Sequence, residues 1–463
     1  MADFEPFERK MREAELPDLA IRSFRRAYEQ LARGATGTLA EAELEPVAAH
    51  ELPSADELDE SAREAGEAAL ARTVVIKLNG GLGTSMGMTK AKSLLPVKEG
   101  RSFLDLIAEQ MLRLHARTGQ RVPLVLMNSF RTREDSLAAL GRQGPLSAPL
   151  PADFLQHKVP RIRCDDLSPI TWPDEPAHEW CPPGHGDLYT ALVSSGMLEA
   201  MLAHGFRHAF VSNADNLGAV LEPELLGWFV GSGAPFAMEV KTRTPSDRKG
   251  GHLARRLDGS LVLREIAQCA PEDRPAFEDV KRHAFFNTNN LWIDLEALQR
   301  RLEAEAGLLD LPLIRNEKPV DPVDPDSPRV YQLESAMGAA IERFEGARAL
   351  RVSARRFAPV KTTNDLLAVR SDAFIVDEAA RVVRAPEVAP DAPRIDLDPT
   401  FFEGVDALDL RTPHGPPSLR RCRRLRVRGD VHFGRDVVVE GSVELGAPAG
   451  QPLHIPDTSR LAG

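Results

Sequence analysis

Cysteine is scarce: Cys164, Cys181, Cys269 and Cys422 are the four thiols in 463 residues. They lie far apart and form no C-x-x-C pair, which excludes a disulfide framework and a cysteine-based zinc site. Reduced thiols in the cytoplasm are the expectation. Long apolar runs are also missing, and none approaches the roughly 18 residues of a membrane span. The opening stretch, Met1 to Pro17, is charged and acidic, without the basic-then-apolar order of a secretory leader. Positive charge is in the minority. Against 69 Asp and Glu stand 58 Lys and Arg, a net charge of −11, which argues against nucleic acid or an acidic membrane as partner.

What is present describes an ordinary globular chain, with 43% hydrophobic and 27% charged residues and length enough for two or three structural units. Residues 1–70 form a helical N-terminal region. Phe4, Phe7 and Met11, then Phe24, Tyr28 and Leu31, recur at helical spacing, and an acidic connector from 41 to 70 reads as a solvated face. From 71 to 370, strand-like runs (123–129, 208–216, 235–243, 291–295) alternate with helical patterns (103–118, 188–205). That alternation predicts an α/β domain of βαβ units around a mixed, mostly parallel sheet. From 371 to 463, Gly429, Gly434, Gly441 and Gly446 punctuate short Val, Leu and Arg runs, which suggests a stacked, β-helix-like unit. The arginines between 420 and 428 alternate with Leu425 and Val427, the pattern of a half-exposed strand.

The most informative stretch is 74–97, VVIKLNGGLGTSMGMTKAKSLLPV. A β-branched run ends in Leu78 and Asn79, and Gly80, Gly81, Gly83 and Gly87 follow directly. Glycines at the carboxyl end of a strand let backbone N–H groups approach an anion, and such strand ends are where open α/β sheets bind phosphates. Two familiar phosphate loops fail on spacing. Three residues separate Gly83 from Gly87, so the dinucleotide fingerprint is absent, and Ala91 precedes Lys92 where a P-loop needs glycine.

This stretch resembles the signature of the UTP–glucose-1-phosphate uridylyltransferase (UDP-glucose pyrophosphorylase) family. Further blocks agree in order: VPLVLMNSFRT, FLQHKVPRI, PPGHGDLYTAL, FVSNADNLGA, MEVKTR with KGG, FNTNNLWIDL, QLESAMGAAI and RFAPVKTTNDLL. The resemblance implies a central Rossmann-like, GT-A-type nucleotidyltransferase domain, a helical N-terminal region and a C-terminal left-handed β-helix-like domain. It implies a reversible, Mg²⁺-dependent reaction in which UTP and glucose 1-phosphate give UDP-glucose and pyrophosphate, by in-line attack on the UTP α-phosphorus. The nearest rival is the same reaction on another sugar 1-phosphate.

Residue by residue, the resemblance implies that Leu78, Asn79, Gly80 and Gly81 present backbone to the nucleotide. Lys92 and Lys361 are the implied catalytic cations on the triphosphate. Before Lys92 animal and plant members read Cys-Lys-Gly-Pro where this chain reads Met88-Thr89-Lys90-Ala91, so the role goes to Lys92 and that of Lys90 stays open. Asp215 is the implied Mg²⁺ ligand and Asn213 the sugar-phosphate contact. Gln156 and Gly184 are implied on the uracil side and His185 as a contact to substrate, while Asp187 by its position reads as the N-cap of the helix that follows. Gly251, Asn287, Asn289 and Asn290 are implied at the glucose. A monomer or small homo-oligomer is expected.

Overall fold

The computed structural model describes residues 3–389 and 392–463. Two helices open it, α1 (Glu5–Glu13) and α2 (Asp18–Ala32), and their apolar stripes meet. Phe7, Met11, Phe24, Tyr28 and Leu31 are buried in one cluster with Val159, Ile162 and Leu333 from the main body. A third helix, α3 (Glu60–Ala69), follows.

The connector between α2 and α3 departs from the expected solvated face. Leu44–Pro46 (β1) pairs antiparallel with the central sheet, and the Glu41 carboxylate accepts from Arg264, Arg282 and His283. Arg264 is fully buried, so an acidic residue at 41 supplies the counter-charge that such burial demands.

The central sheet has ten strands. After β1 come β2 (Thr73–Asn79), β3 (Leu124–Asn128), β4 (Asp153–Leu155), β5 (His208–Asn213), β6 (Phe236–Thr242), β7 (His252–Arg256), β8 (Leu261–Arg264), β9 (Phe285–Asp294) and β10 (Arg348–Arg351). Their order is β1-β7-β9-β5-β2-β3-β4, with β6 also on β9 and carrying β10, and β8 on β7. The β5-β2-β3-β4 block and the β6/β10 pair are parallel. All pairs of β7 and β9 are antiparallel, so the sheet is mixed and not mostly parallel. The cause is β9, which lies antiparallel between β5 and β6. It is covered on both faces, and neither that burial nor its sequence, apolar at both ends with the polar NTNN run between, signals a direction.

Helix α4 (Phe103–Thr118) covers its predicted span. The pattern at 188–205 forms two helices, α5 (Leu188–Ser194) and α6 (Met197–Ala203), because Gly196 between them turns left-handed at φ 73°. Helix α7 (Thr363–Arg370) begins at a capping box of Thr362 and Asp365. Beyond it, β11 (Arg394–Asp396), β12 (Ser418–Arg428), β13 (Val438–Gly446) and β14 (Arg460–Ala462) form one four-stranded sheet, each strand parallel to its neighbours. Along β12, Leu419, Cys422, Leu425 and Val427 are buried while Arg420, Arg421, Arg423 and Arg424 face solvent. Among the described residues no helix is long and apolar enough to cross a membrane.

Candidate active site

The carboxyl ends of β2, β3, β4 and β5 are level with one another, since Leu78 pairs with Asn213, Asn79 with Asn128, and Asn128 with Leu155. The glycine loop leaves β2 at this edge. Gly83 and Gly87 take φ of 67° and 70°, which turns the chain so that Lys92 N donates to Gly81 O at 3.0 Å. Lys92 then reaches across the mouth of the loop, and its Nζ lies 2.6 Å from Asp215 Oδ2, with side chains 14% and 25% exposed.

Asp215 stands on the turn after β5, where Ala214 N donates to Leu78 O at 3.0 Å. The segment carrying Lys361 runs alongside. Leu217 N donates to Ala358 O, Val360 N donates to Asp215 O, and the Asn216 amide oxygen accepts from Gly218 N and Ala358 N. Lys361 N is held by the Asp365 carboxylate at 2.9 Å, and its side chain is exposed in the cleft. Three segments distant in the chain thus bring two cations and a carboxylate to one strand edge.

Gln156 follows β4 directly. Its Nε2 donates to Gly184 O at 3.1 Å, and its Oε1 faces Gly80, where a Cβ would lie 2.5 Å away. Gly184 takes φ 81°, and a Cβ on it would come 2.4 Å from Ser335 O, so only glycine fits. The His185 Nδ1 accepts from Met337 N at 2.9 Å, and burial pushes the ring down to about 4. His185 is therefore a neutral imidazole whose Nε2 carries the proton and can only donate.

Asp187 occupies the N-terminus of α5 but makes no side-chain capping bond, contrary to expectation. Its carboxylate turns away and accepts from His157 N at 2.7 Å and His157 Nδ1 at 2.9 Å. Asp187 is already helical, at φ −59° and ψ −14°, and lacks the extended backbone from which an N-cap side chain folds back, so its carboxylate goes to the buried imidazole.

On the other flank, the β7/β8 hairpin pairs His252 with Arg264 and so sets Gly251 opposite Glu265. A Cβ on Gly251 would lie 2.5 Å from both Glu265 carboxylate oxygens. Burial pushes the Glu265 carboxyl up to about 7, with the Lys361 ammonium pulling it down, so this acid belongs to the same cleft. Asn287 N donates to Gly251 O, and the Asn287 and Asn289 amides bond each other, Asn289 sitting at φ 57° in a β-bulge. Asn290 does not join them. It is fully buried, donating to Glu239 and accepting from Asn216. The Asn79 side chain is likewise committed to the fold, donating to Asn128 and Ser136, so only its backbone is offered at the cleft.

Beneath this edge lies a polar core that sequence reasoning missed. Arg356 and Glu239, both buried, form a two-pronged ion pair at 2.9 and 2.6 Å, and Trp292 Nε1 donates to Glu239 at 3.0 Å. Lys77 donates to Ser212 Oγ and Ala219 O, and burial pushes its ammonium down to about 7. Glu265 was missed too; its signal was the Asp258–Gly259 turn, which fixes the hairpin register.

Among the described residues no three His, Cys, Asp or Glu side chains gather into a metal-binding group. A divalent cation here would draw on Asp215 and on the phosphates of a bound ligand. Mg²⁺ is commonly held in that way, so the donor set fits it.

The model of the family described as UTP–glucose-1-phosphate uridylyltransferase matches residues 21–440. A UTP–glucose-1-phosphate uridylyltransferase of Solanum tuberosum is 40% identical over 395 residues, covering 85% of this chain and 80% of that one. Its counterpart in Saccharomyces cerevisiae is 39% identical over 85% of this chain and 77% of that one. Among solved structures, a mutant UDP-glucose pyrophosphorylase of Leishmania major in complex with UDP-glucose has a TM-score of 0.91 at 40% identity, covering 100% of this chain and 98% of that one. A Trypanosoma brucei UDP-glucose phosphorylase gives 0.89 at 42%, covering 99% of each chain. The glycine loop, the Lys92–Asp215 pair and this end-to-end likeness agree, and the chain belongs to the UTP–glucose-1-phosphate uridylyltransferase family.

Proposed function

We propose that this nucleotidyltransferase moves a uridylyl group from UTP to glucose 1-phosphate, releasing pyrophosphate and giving UDP-glucose, reversibly and with Mg²⁺. The observation that carries the reading is the Lys92–Asp215 contact of 2.6 Å at the mouth of the glycine loop. It supports the reading because attack at an α-phosphate calls for a compact cation and a carboxylate able to bind a metal, and the two meet at this loop.

The nucleophile is already an anion, so no residue has to remove a proton. The site fits that need, because His185 is held neutral and serves as a donor. Catalysis then rests on position and charge. The backbone of Leu78, Asn79, Gly80 and Gly81 lies along the nucleotide, with Gln156 and Gly184 at the uracil edge and His185 Nε2 donating to substrate. Lys92 leaves Asp215 for the α-phosphate oxygens, where a compact ammonium can follow charge as the attacking bond forms. Lys361 holds the β- and γ-phosphates and follows them out as pyrophosphate. Asp215, together with the phosphates, would hold Mg²⁺, and the ion would supply neutralisation of the triphosphate. Asn213 faces the sugar phosphate, and Gly251, Asn287, Asn289 and Glu265 offer backbone, amides and a carboxyl to the sugar hydroxyls.

We also read the C-terminal unit as turns of a left-handed β-helix. Strands there stack in parallel one after another, with Arg394 on Arg424, Ser418 on Val438 and Val438 on Arg460. A coupled pyrophosphate-release assay tests the reaction. UTP with glucose 1-phosphate should give the highest kcat/KM among nucleoside triphosphates and sugar phosphates. Faster turnover of N-acetylglucosamine 1-phosphate would overturn the glucose assignment.

A further inference from the structure

His157 and Asp187 meet in a buried contact that the proposed chemistry does not use. They are 8% and 6% exposed, and the Asp187 carboxylate takes both the backbone N–H and the ring Nδ1 of His157. On the far side of the ring, Nε2 lies 3.0 Å from Ser194 Oγ. With the carboxylate as acceptor, Nδ1 carries the proton and Nε2 accepts from the serine hydroxyl.

A Ser–His–Asp series of this kind suggests a nucleophile, but the surroundings are wrong for one. Ser194 is the last residue of α5, at the carbonyl end of the helix, and its Oγ also approaches Ala191 O. Carbonyl oxygens there repel an oxyanion, whereas acyl transfer needs N–H donors.

The chain positions point elsewhere. His157 directly follows Gln156, and Asp187 lies three residues after Gly184, so the contact ties together the two loops that present the candidate uracil groups. Across that tie, Gln156 Nε2 donates to Gly184 O. The second loop is pinned from behind as well, by Gly186 N on Ser335 O and Ser335 N on Pro183 O. The consequence is a fixed amide. With one N–H on Gly184 O, the Gln156 amide is oriented so that Oε1 is the atom turned towards the glycine loop. That acceptor suits the N3–H of uracil and repels the bare N3 lone pair of cytosine.

We infer that His157 and Asp187 are positioning residues that set the choice of uracil over cytosine, by locking the Gln156 amide in its acceptor-out orientation. The inference rests on the nucleotide site proposed above.

The test is the ratio of kcat/KM for UTP to that for CTP, together with calorimetric binding of each nucleotide to the full-length protein. Asp187→Asn keeps the volume but sets an NH₂ against one of two N–H donors. It should lower the ratio about tenfold, the weight of one oriented hydrogen bond, mainly through KM. His157→Ala should do the same. His157→Asn keeps a donor near the Nδ1 position and should restore most of the ratio. If Asp187→Asn proves unfolded by circular dichroism, the two His157 variants decide the matter alone. Unchanged UTP-to-CTP ratios in folded Asp187→Asn and His157→Ala would overturn the inference, as would a loss of kcat with both KM and the ratio intact. Covalent labelling of Ser194 by a fluorophosphonate would overturn it in favour of a nucleophile. Wild-type protein that neither binds nor turns over UTP would bring down the underlying reading and this inference with it.

Discussion

Glu265→Gln separates the electrostatics of the sugar flank from its shape. In the folded protein burial pushes the Glu265 carboxyl from 4.5 up to about 7. The cause is the desolvated niche between Gly251 and the hairpin; Lys361 opposes the shift and reduces it. A raised acid pKa means that the native state keeps a proton which the unfolded chain has already released. Stability from this group is therefore full below about 4.5, declines as pH rises towards 7, and is level above that. A displacement of this size corresponds to about 3 kcal/mol, and contact with solvent reduces it to about 2 kcal/mol. In a chain of this length that is a shift in Tm of about 2 °C. Scanning calorimetry from pH 5 to 8.5 should show wild type losing ground against Glu265→Gln as pH rises, then running parallel with it. Glutamine cannot ionise, so its KM for glucose 1-phosphate should lack the wild-type inflection near pH 7. Parallel stability curves throughout, or wild type gaining on the variant with rising pH, would refute the reasoning.

Three further outcomes are expected. Gly184→Ala forces a side chain into φ 81° and to 2.4 Å from Ser335 O, so KM for UTP should rise about tenfold with about 1–3 kcal/mol lost in urea titration. Arg356→Met leaves Glu239 buried without its cation and should cost about 3–5 kcal/mol, read as a drop in the denaturation midpoint. Lys361→Ala should raise KM for UTP forwards and for pyrophosphate in reverse, as steady-state kinetics in both directions will show, because in the proposed reaction its exposed ammonium holds the β- and γ-phosphates.

What the sequence disclosed was the part of the site that local chemistry dictates. Four glycines after β2 and the Asn-Ala-Asp turn after β5 both announce strand ends, and the structure sets those ends level. Lys92 could be tied to the loop by proximity alone. Lys361 could not, since its place depends on the Asn216 amide joining two segments some 140 residues apart. Asn290 looks like its neighbours in the NTNN run, yet the bulge at Asn289 turns it into the Glu239–Arg356 core. Asp187 illustrates the converse: helix-start position predicts a cap, and a buried histidine from another loop claims the carboxylate. Strand direction was equally hidden, because β9 is buried on both faces and burial alone carries no arrow. In each case the missing information is a contact between residues remote in sequence.

The most direct measurement is the single-turnover rate of Lys92→Ala at saturating UTP, glucose 1-phosphate and Mg²⁺, with circular dichroism to confirm folding. If Lys92 releases Asp215 to follow charge onto the α-phosphate, removing it deprives the transition state of more than the ground state. The rate should fall by about 10² to 10³ with little change in KM for UTP. Lys92→Arg should not rescue it, since a planar fork is not a point charge. A folded Lys92→Ala protein that keeps the wild-type rate would contradict the account of the glycine loop as a phosphoryl-transfer centre.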